Sequence, residues 1–182
     1  REAFAVVAVP KKDEKSFKKF VLKYNETVQA EYAAVEPDLT VAAEKHDMPE
    51  KFLDEKTQRH LVNALYAVPH GVTKMSNDIP GLVETSNNLA VVETVGKHIN
   101  IVTSQRSSVA SENVDITNMV TSVFLLAGAD VTYGDGYPGW KPDISSDILK
   151  VFKSTFNQMY GKEPHVTAIH AGLETGIIKE KY

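Results

Sequence analysis

Leu89-Ala90-Val91-Val92-Glu93-Thr94-Val95-Gly96-Lys97-His98-Ile99-Asn100-Ile101-Val102-Thr103 is the stretch that decides the fold class. Two runs rich in β-branched residues flank Gly96-Lys97, and a glycine in so short a turn supplies the positive φ that joins antiparallel strands directly. A direct join leaves no room for the crossover that parallel neighbours require. Outward from this hairpin, residues 111–127 read as a helix with Ile116, Val120, Val123, Phe124 and Ala127 along one stripe and Gly128 just past its end. Residues 54–66 form a second helix on Leu61, Val62 and Leu65, with Asp54 as N-cap. Residues 145–160 form another, on Ile148, Leu149, Phe152, Phe156 and Met159, ended by Gly161. A long N-terminal helix is marked by Phe17, Phe20, Val21, Tyr24, Val28 and Tyr32 at three- and four-residue spacings. Strands are expected at residues 4–9, 39–44, 131–133 and 165–169. The alternation implies an α/β (α+β) two-layer sandwich, a mostly antiparallel sheet with helices on one face.

Composition narrows the function. The 182 residues are 42% hydrophobic and 24% charged, ordinary for a soluble domain, with a net charge of −4 and no basic stripe for nucleic acid. Lys11, Lys12, Lys15, Lys18 and Lys19 are interrupted by Asp13 and Glu14, as on a solvated helix face. There is no cysteine, hence no disulfide or thiolate metal site, and no apolar run nears the roughly 20 residues of a membrane span. The chain opens on Arg1 rather than Met, as an excised domain would. Between Gly134 and Pro142, three Gly and two Pro in nine residues mark a boundary or crossover.

The chemistry-bearing residues are sparse. None of the six histidines has a helical i, i+4 partner, and His165 and His170 fall on opposite faces of a strand, so a self-contained metal site is not expected. No nucleophile elbow or phosphate loop is present. Arg106 follows the second hairpin strand among Ser104, Ser107 and Ser108, where its planar fork suits a carboxylate; it could equally pair with Glu112 or Asp115 on the surface. Glu174, between glycines, either receives a ligand's ammonium or sits in the first turn of a helix.

Five stretches carry a family resemblance. They are Asn-Ala-Leu-Tyr-Ala-Val-Pro-His-Gly-Val at 63–72, Val-Glu-Thr-Ser-Asn-Asn-Leu at 83–89, Arg-Ser-Ser-Val at 106–109, Tyr-Pro-Gly-Trp-Lys-Pro-Asp at 137–143, and His-Ala-Gly-Leu-Glu-Thr-Gly at 170–176. In this order they resemble the aminoacyl-histidine dipeptidases, or cytosolic non-specific dipeptidases, di-zinc metallopeptidases related to carnosinases. Residues 1–60 fit the same region less distinctively.

The resemblance implies that residues 1–135 belong to a lid, or dimerisation-type, domain and that 136–182 return into a catalytic domain. It implies two zinc ions in the full-length parent and none bound by this segment, since most ligands would lie upstream and the last histidine downstream. The glutamate that activates water and the lid's Gly-Gly-His-Ser-Gly-like stretch have no counterpart here. Arg106 matches the lid arginine expected on the substrate's C-terminal carboxylate, Glu174 the glutamate expected near its amino terminus, and Asn88 a cleft residue. Thr175 departs from the family, where cysteine is usual. The implied activity is zinc-dependent hydrolysis of Xaa-His and other dipeptides in the cytoplasm, with the segment alone inactive. Its partners would be the dipeptide, its own catalytic domain and, in a homodimer, a second copy, not nucleic acid or membrane. The other reading is a non-catalytic α/β dimerisation or ligand-binding module.

Overall fold

The structure, a computed structural model, describes residues 2–136, 139, 141–169 and 178. Its compact units are residues 1–54 and 55–182.

In the first unit a 3-10 turn, Lys11–Asp13, leads into helix α1, Glu14–Tyr32. Its expected apolar stripe divides. Val28 is buried and Phe17 and Val21 are half-buried, while Phe20 and Tyr24 stack on each other on the exposed side, ring centroids 6.1 Å apart. Residues 39–44 do not form the expected strand. Asn25 Oδ1 accepts from Val41 N at 2.7 Å, and Gln29 Nε2 donates to Leu39 O at 3.1 Å. Side-chain amides one helical turn apart thus satisfy this extended backbone in place of a sheet neighbour. Residues 4–9 form no strand either: a strand needs a ladder partner, and the described residues offer none.

The second unit holds α2 (Glu55–Ala67), β1 (Gly71–Met75), β2 (Val83–Val95), β3 (His98–Ser107), α3 (Ala110–Leu126) and α4 (Asp147–Tyr160). The three strands form an antiparallel sheet in the order β1-β2-β3, an α+β arrangement with helices on the sheet. The hairpin stands as expected, with Gly96 at φ +60°.

Cross-strand partners share a face. Asn87 pairs with Gln105, Leu89 with Thr103 and Val92 with Ile101 on the helix-covered face. The register shifts between Leu89 and Val91, so Asn88, opposite Ser104, and Val91, opposite Val102, both fall on the other face. A bulge at Ala90 thereby keeps both halves of a 13-residue strand correctly faced. The core gathers Ala64, Val68, Val120 and Phe124, with Leu89, Ile101, Val123, Ala127 and Val131 against it.

Further ties close this layer. His60 Nδ1 is hydrogen-bonded to Ala127 O at 2.9 Å, fastening α2 to the end of α3. Gly128 N donates to Leu125 O and Ala129 N to Phe124 O, at 2.9 and 3.0 Å, capping the last carbonyls of α3. Residues 131–133 are not a strand: Val131 packs on the core, and Tyr133 Oη is 3.0 Å from Thr121 Oγ1 on α3. Residues 165–169 likewise form no strand.

Phe124→Ala should lower the unfolding free energy by about 3–5 kcal/mol, because it empties the centre of the core. Leu126→Ala, in the same turn of α3 but 86% exposed, should change it by less than about 0.5 kcal/mol. Urea unfolding followed by circular dichroism separates the two.

Candidate functional site

The open face of the sheet collects two of the three residues singled out by sequence. Arg106 pairs with Ser86, and Asn88 with Ser104, at consecutive same-face positions of β2 and β3. Arg106 and Asn88 are therefore diagonal neighbours, about 7–8 Å apart in backbone terms. Both are exposed. Among the described residues Arg106 has no ion-pair partner. Glu112, a candidate partner by sequence, is engaged by Lys74 instead. Glu174, with the rest of the 170–176 stretch, lies outside the described residues.

The free edge of β3 borders a cleft of about 670 Å³. Arg106, Ser108, Asn113, Thr117, Asp130 and Tyr133 give it a polar wall, and Asn88 is not part of its lining. Asn113 Oδ1 is buried without a hydrogen-bond partner among the described residues.

The turn after Arg106 is held by polar groups from the buried side. Ser107 is buried; its Oγ is 2.9 Å from Thr85 Oγ1 and accepts from Val109 N at 3.1 Å. Ser108 N donates to Glu84 O at 3.1 Å. Glu84 is itself only 7% exposed. Its Oε1 is 3.4 Å from Lys74 Nζ, near enough for charge attraction but not aligned as a hydrogen bond. Lys74 hydrogen-bonds Glu112, so one ammonium serves two carboxylates. That bond to Glu112, with the attraction of both carboxylates, raises the Lys74 pKa above its ordinary 10.5 despite partial desolvation.

Asn87, not Asn88, is the buried asparagine of the 83–89 stretch, at 1% exposure. Its Nδ2 donates to Pro69 O at 2.5 Å and its Oδ1 accepts from Gln105 Nε2 at 2.9 Å. Leu89 N donates to His70 Nδ1 at 3.0 Å. The Pro69-His70-Gly71 loop is thus tied to β2 from two residues. Sequence reasoning missed this polar framework, although the period of two from Thr85 through Asn87 to Leu89 places all three inward. Among the described residues, no three His, Asp or Glu side chains converge as a metal site, so these residues do not fit the implied zinc pair. No helix among them is long and apolar enough to cross a membrane.

Comparison with known proteins agrees with the resemblance. No protein-family model matches the chain. The cytosol non-specific dipeptidase of Escherichia coli (strain K12) is 33% identical over all 182 residues, which span 38% of that protein. The crystal structure of aminoacylhistidine dipeptidase from Vibrio alginolyticus superposes with a TM-score of 0.90 and 32% identity, covering 94% of this chain and 35% of that one. An ATP-dependent helicase/deoxyribonuclease of Clostridium perfringens (strain SM101 / Type A) is 29% identical over 140 residues, 74% of this chain but 12% of that protein. Sequence and structure thus agree on the same relatives: over its whole length the chain is related to a segment of this dipeptidase family.

The raised Lys74 pKa carries a sign. A cation whose folded-state pKa exceeds its unfolded value contributes stability in full below about 10.5 and loses it as pH rises through the folded value. Lys74→Met should therefore flatten the alkaline fall of the urea midpoint above about pH 10 while lowering the midpoint at neutral pH. Titrating the urea midpoint of both proteins from neutral to alkaline pH tests this.

Proposed function

We propose that this chain is the substrate-recognition lid segment of a zinc-dependent dipeptidase acting on Xaa-His and other dipeptides in the cytoplasm. In that reading residues 1–135 belong to the lid and 136–182 lead back toward the catalytic domain. The observation that carries it is Arg106: an arginine on the open sheet face, bordering a cleft, with no carboxylate partner among the described residues. The relatives support the reaction class, since both dipeptidase names belong to proteins that match this chain across 94% or more of its length. The first of them is named a cytosol enzyme, which supports the location.

Arg106 offers its guanidinium fork to the C-terminal carboxylate of the dipeptide, a planar match that accepts two parallel hydrogen bonds. Asn88, diagonal to it, can donate or accept along the bound peptide. Glu174 receives the free ammonium. Charge recognition at both ends selects a substrate of two residues, because a longer peptide cannot place both termini. The zinc ions, held by residues of the complete protein outside those described, supply a polarised carbonyl and an activated water. The lid's part is to orient the dipeptide and exclude bulk water when it closes.

Helix α4 supports a docked partner. Ile148, Val151, Phe152 and Met159 are each at least 60% exposed, more apolar surface than one amphipathic helix leaves open to water. The partner proposed for this face is the catalytic domain of the same protein, with a second copy at a dimer interface as a further partner.

In the complete protein, Arg106→Ala should lower kcat/KM for a dipeptide by about 10- to 100-fold, in line with the roughly 1.5–3 kcal/mol of a hydrogen bond to a charged group. The C-terminal amide of that dipeptide, which lacks the carboxylate, should lose nothing further. An equal loss on both substrates, or none on either, would remove Arg106 from this role. A complete protein without metal-dependent peptidase activity would leave the binding-module reading in front. The 182-residue chain alone should not hydrolyse dipeptides with zinc present.

A further inference from the structure

We infer that Gly139 and Lys141 are positioning residues for Arg106, clamping the turn that directly follows it; this rests on the carboxylate-binding reading of Arg106 above. Gly139 lies against the backbone at the end of β3. A Cβ there would sit well inside contact distance of the Ser107 carbonyl oxygen and 3.4 Å from the carbonyl carbons of both Ser107 and Ser108. Those are backbone atoms and cannot swing aside as a side chain would.

Nor can the Ser107-Ser108 peptide retreat freely. Ser107 Oγ meets Thr85 at 2.9 Å and Ser108 N is bonded to Glu84 O at 3.1 Å, so the turn is held from the β2 side. On the opposite side the incoming segment has its own anchor. Lys141 Nζ is 2.6 Å from Asp78 Oδ2, in the loop between β1 and β2. That loop is folded onto Ser76, whose Oγ accepts from Asp78 N and Ile79 N, each at 3.2 Å. The hydrogen bond from Lys141 to Asp78, with their charge attraction, raises the Lys141 pKa above its ordinary value.

The ion pair is half exposed, with side-chain accessibilities of 60% and 50%, so it adds little to stability. What it supplies is location. Two residues apart in sequence, Gly139 and Lys141 touch two different parts of the sheet and fix the segment between them. Gly139 then abuts the residue next to Arg106. Glycine is required at 139 for close approach, and Lys141 holds it to that approach. A push on the Ser107 carbonyl is transmitted through one peptide to Arg106, whose paired hydrogen bonds tolerate little displacement.

The test measures kcat and KM of the complete protein on a dipeptide and on its C-terminal amide. The variants are Gly139→Ala, Asp78→Lys, Lys141→Asp, the Asp78→Lys/Lys141→Asp exchange, and each clamp variant combined with Arg106→Ala. Gly139→Ala and Asp78→Lys should each raise KM for the dipeptide by about 10- to 100-fold, the scale of an ångström-sized misplacement. They should leave the amide unchanged and add nothing once Arg106 is gone. The charge exchange should restore KM toward the wild-type value. Equal losses on dipeptide and amide, or losses that add to that of Arg106→Ala, overturn the clamp. Unchanged dipeptide KM in the clamp variants, with Arg106→Ala impaired, overturns it while leaving the Arg106 reading intact. An unimpaired Arg106→Ala overturns that reading itself. If Gly139→Ala does not fold, the exposed Asp78 and Lys141 variants decide alone.

Discussion

The pairing of β2 with β3 is the constraint on which the described site depends. Side chains alternate along each strand, so a one-residue slip would turn Arg106 toward the helices and Gln105 toward solvent. Burial of Leu89 and Ile101 beneath α2 and α3 opposes such a slip. The register shift at Ala90 adds a second lock. It lets the strand continue past Leu89 with Val92 still facing the core. Hydrophobic burial on one face thereby aims the polar residues on the other, and no direct contact with Arg106 is needed to orient it.

Polar groups complete what burial begins. Thr85, Asn87 and Ser107 are buried and hydrogen-bonded, and they connect β2 to the Pro69 loop and to the turn after Arg106. A buried hydroxyl or amide without a partner costs more than an ordinary hydrogen bond contributes. Such groups therefore admit few alternative geometries, which suits a turn that must present one arginine in one place. Glu84 extends this logic to charge. Its carboxylate lies beside Lys74, which Glu112 also binds, so the base of β2 is tied to the first turn of α3.

The chain also shows where local pattern misleads. Residues 39–44 have strand-like alternation, yet Asn25 and Gln29 on α1 meet their backbone. Period alone registers how side chains face and says nothing about what receives the amide hydrogens. The stripe on α1 reads as a single face, but Phe20 and Tyr24 lie outside, one stacked on the other. In the 83–89 stretch the choice of Asn88 over Asn87 as the notable asparagine rests on family likeness. The ladder assigns the two residues opposite faces: Asn88 shares the open face with Arg106, and Asn87 is structural.

What the sequence determined by itself was local and periodic. The hairpin at Gly96-Lys97, helices α2, α3 and α4, the Ile116-Val120-Phe124 stripe and the Gly128 stop follow from turn chemistry and from spacings of two and of three to four. The likeness to the dipeptidases was legible in five short stretches for the same reason: each is contiguous. Only the tertiary structure decided which long-range groups meet. Lys74 with Glu84 and Glu112, Asn87 with Pro69, and Gly139 with Ser107 join residues 10 to 38 positions apart. Such encounters depend on strand register and on the path of intervening loops, and neither is written in the spacing of any one segment.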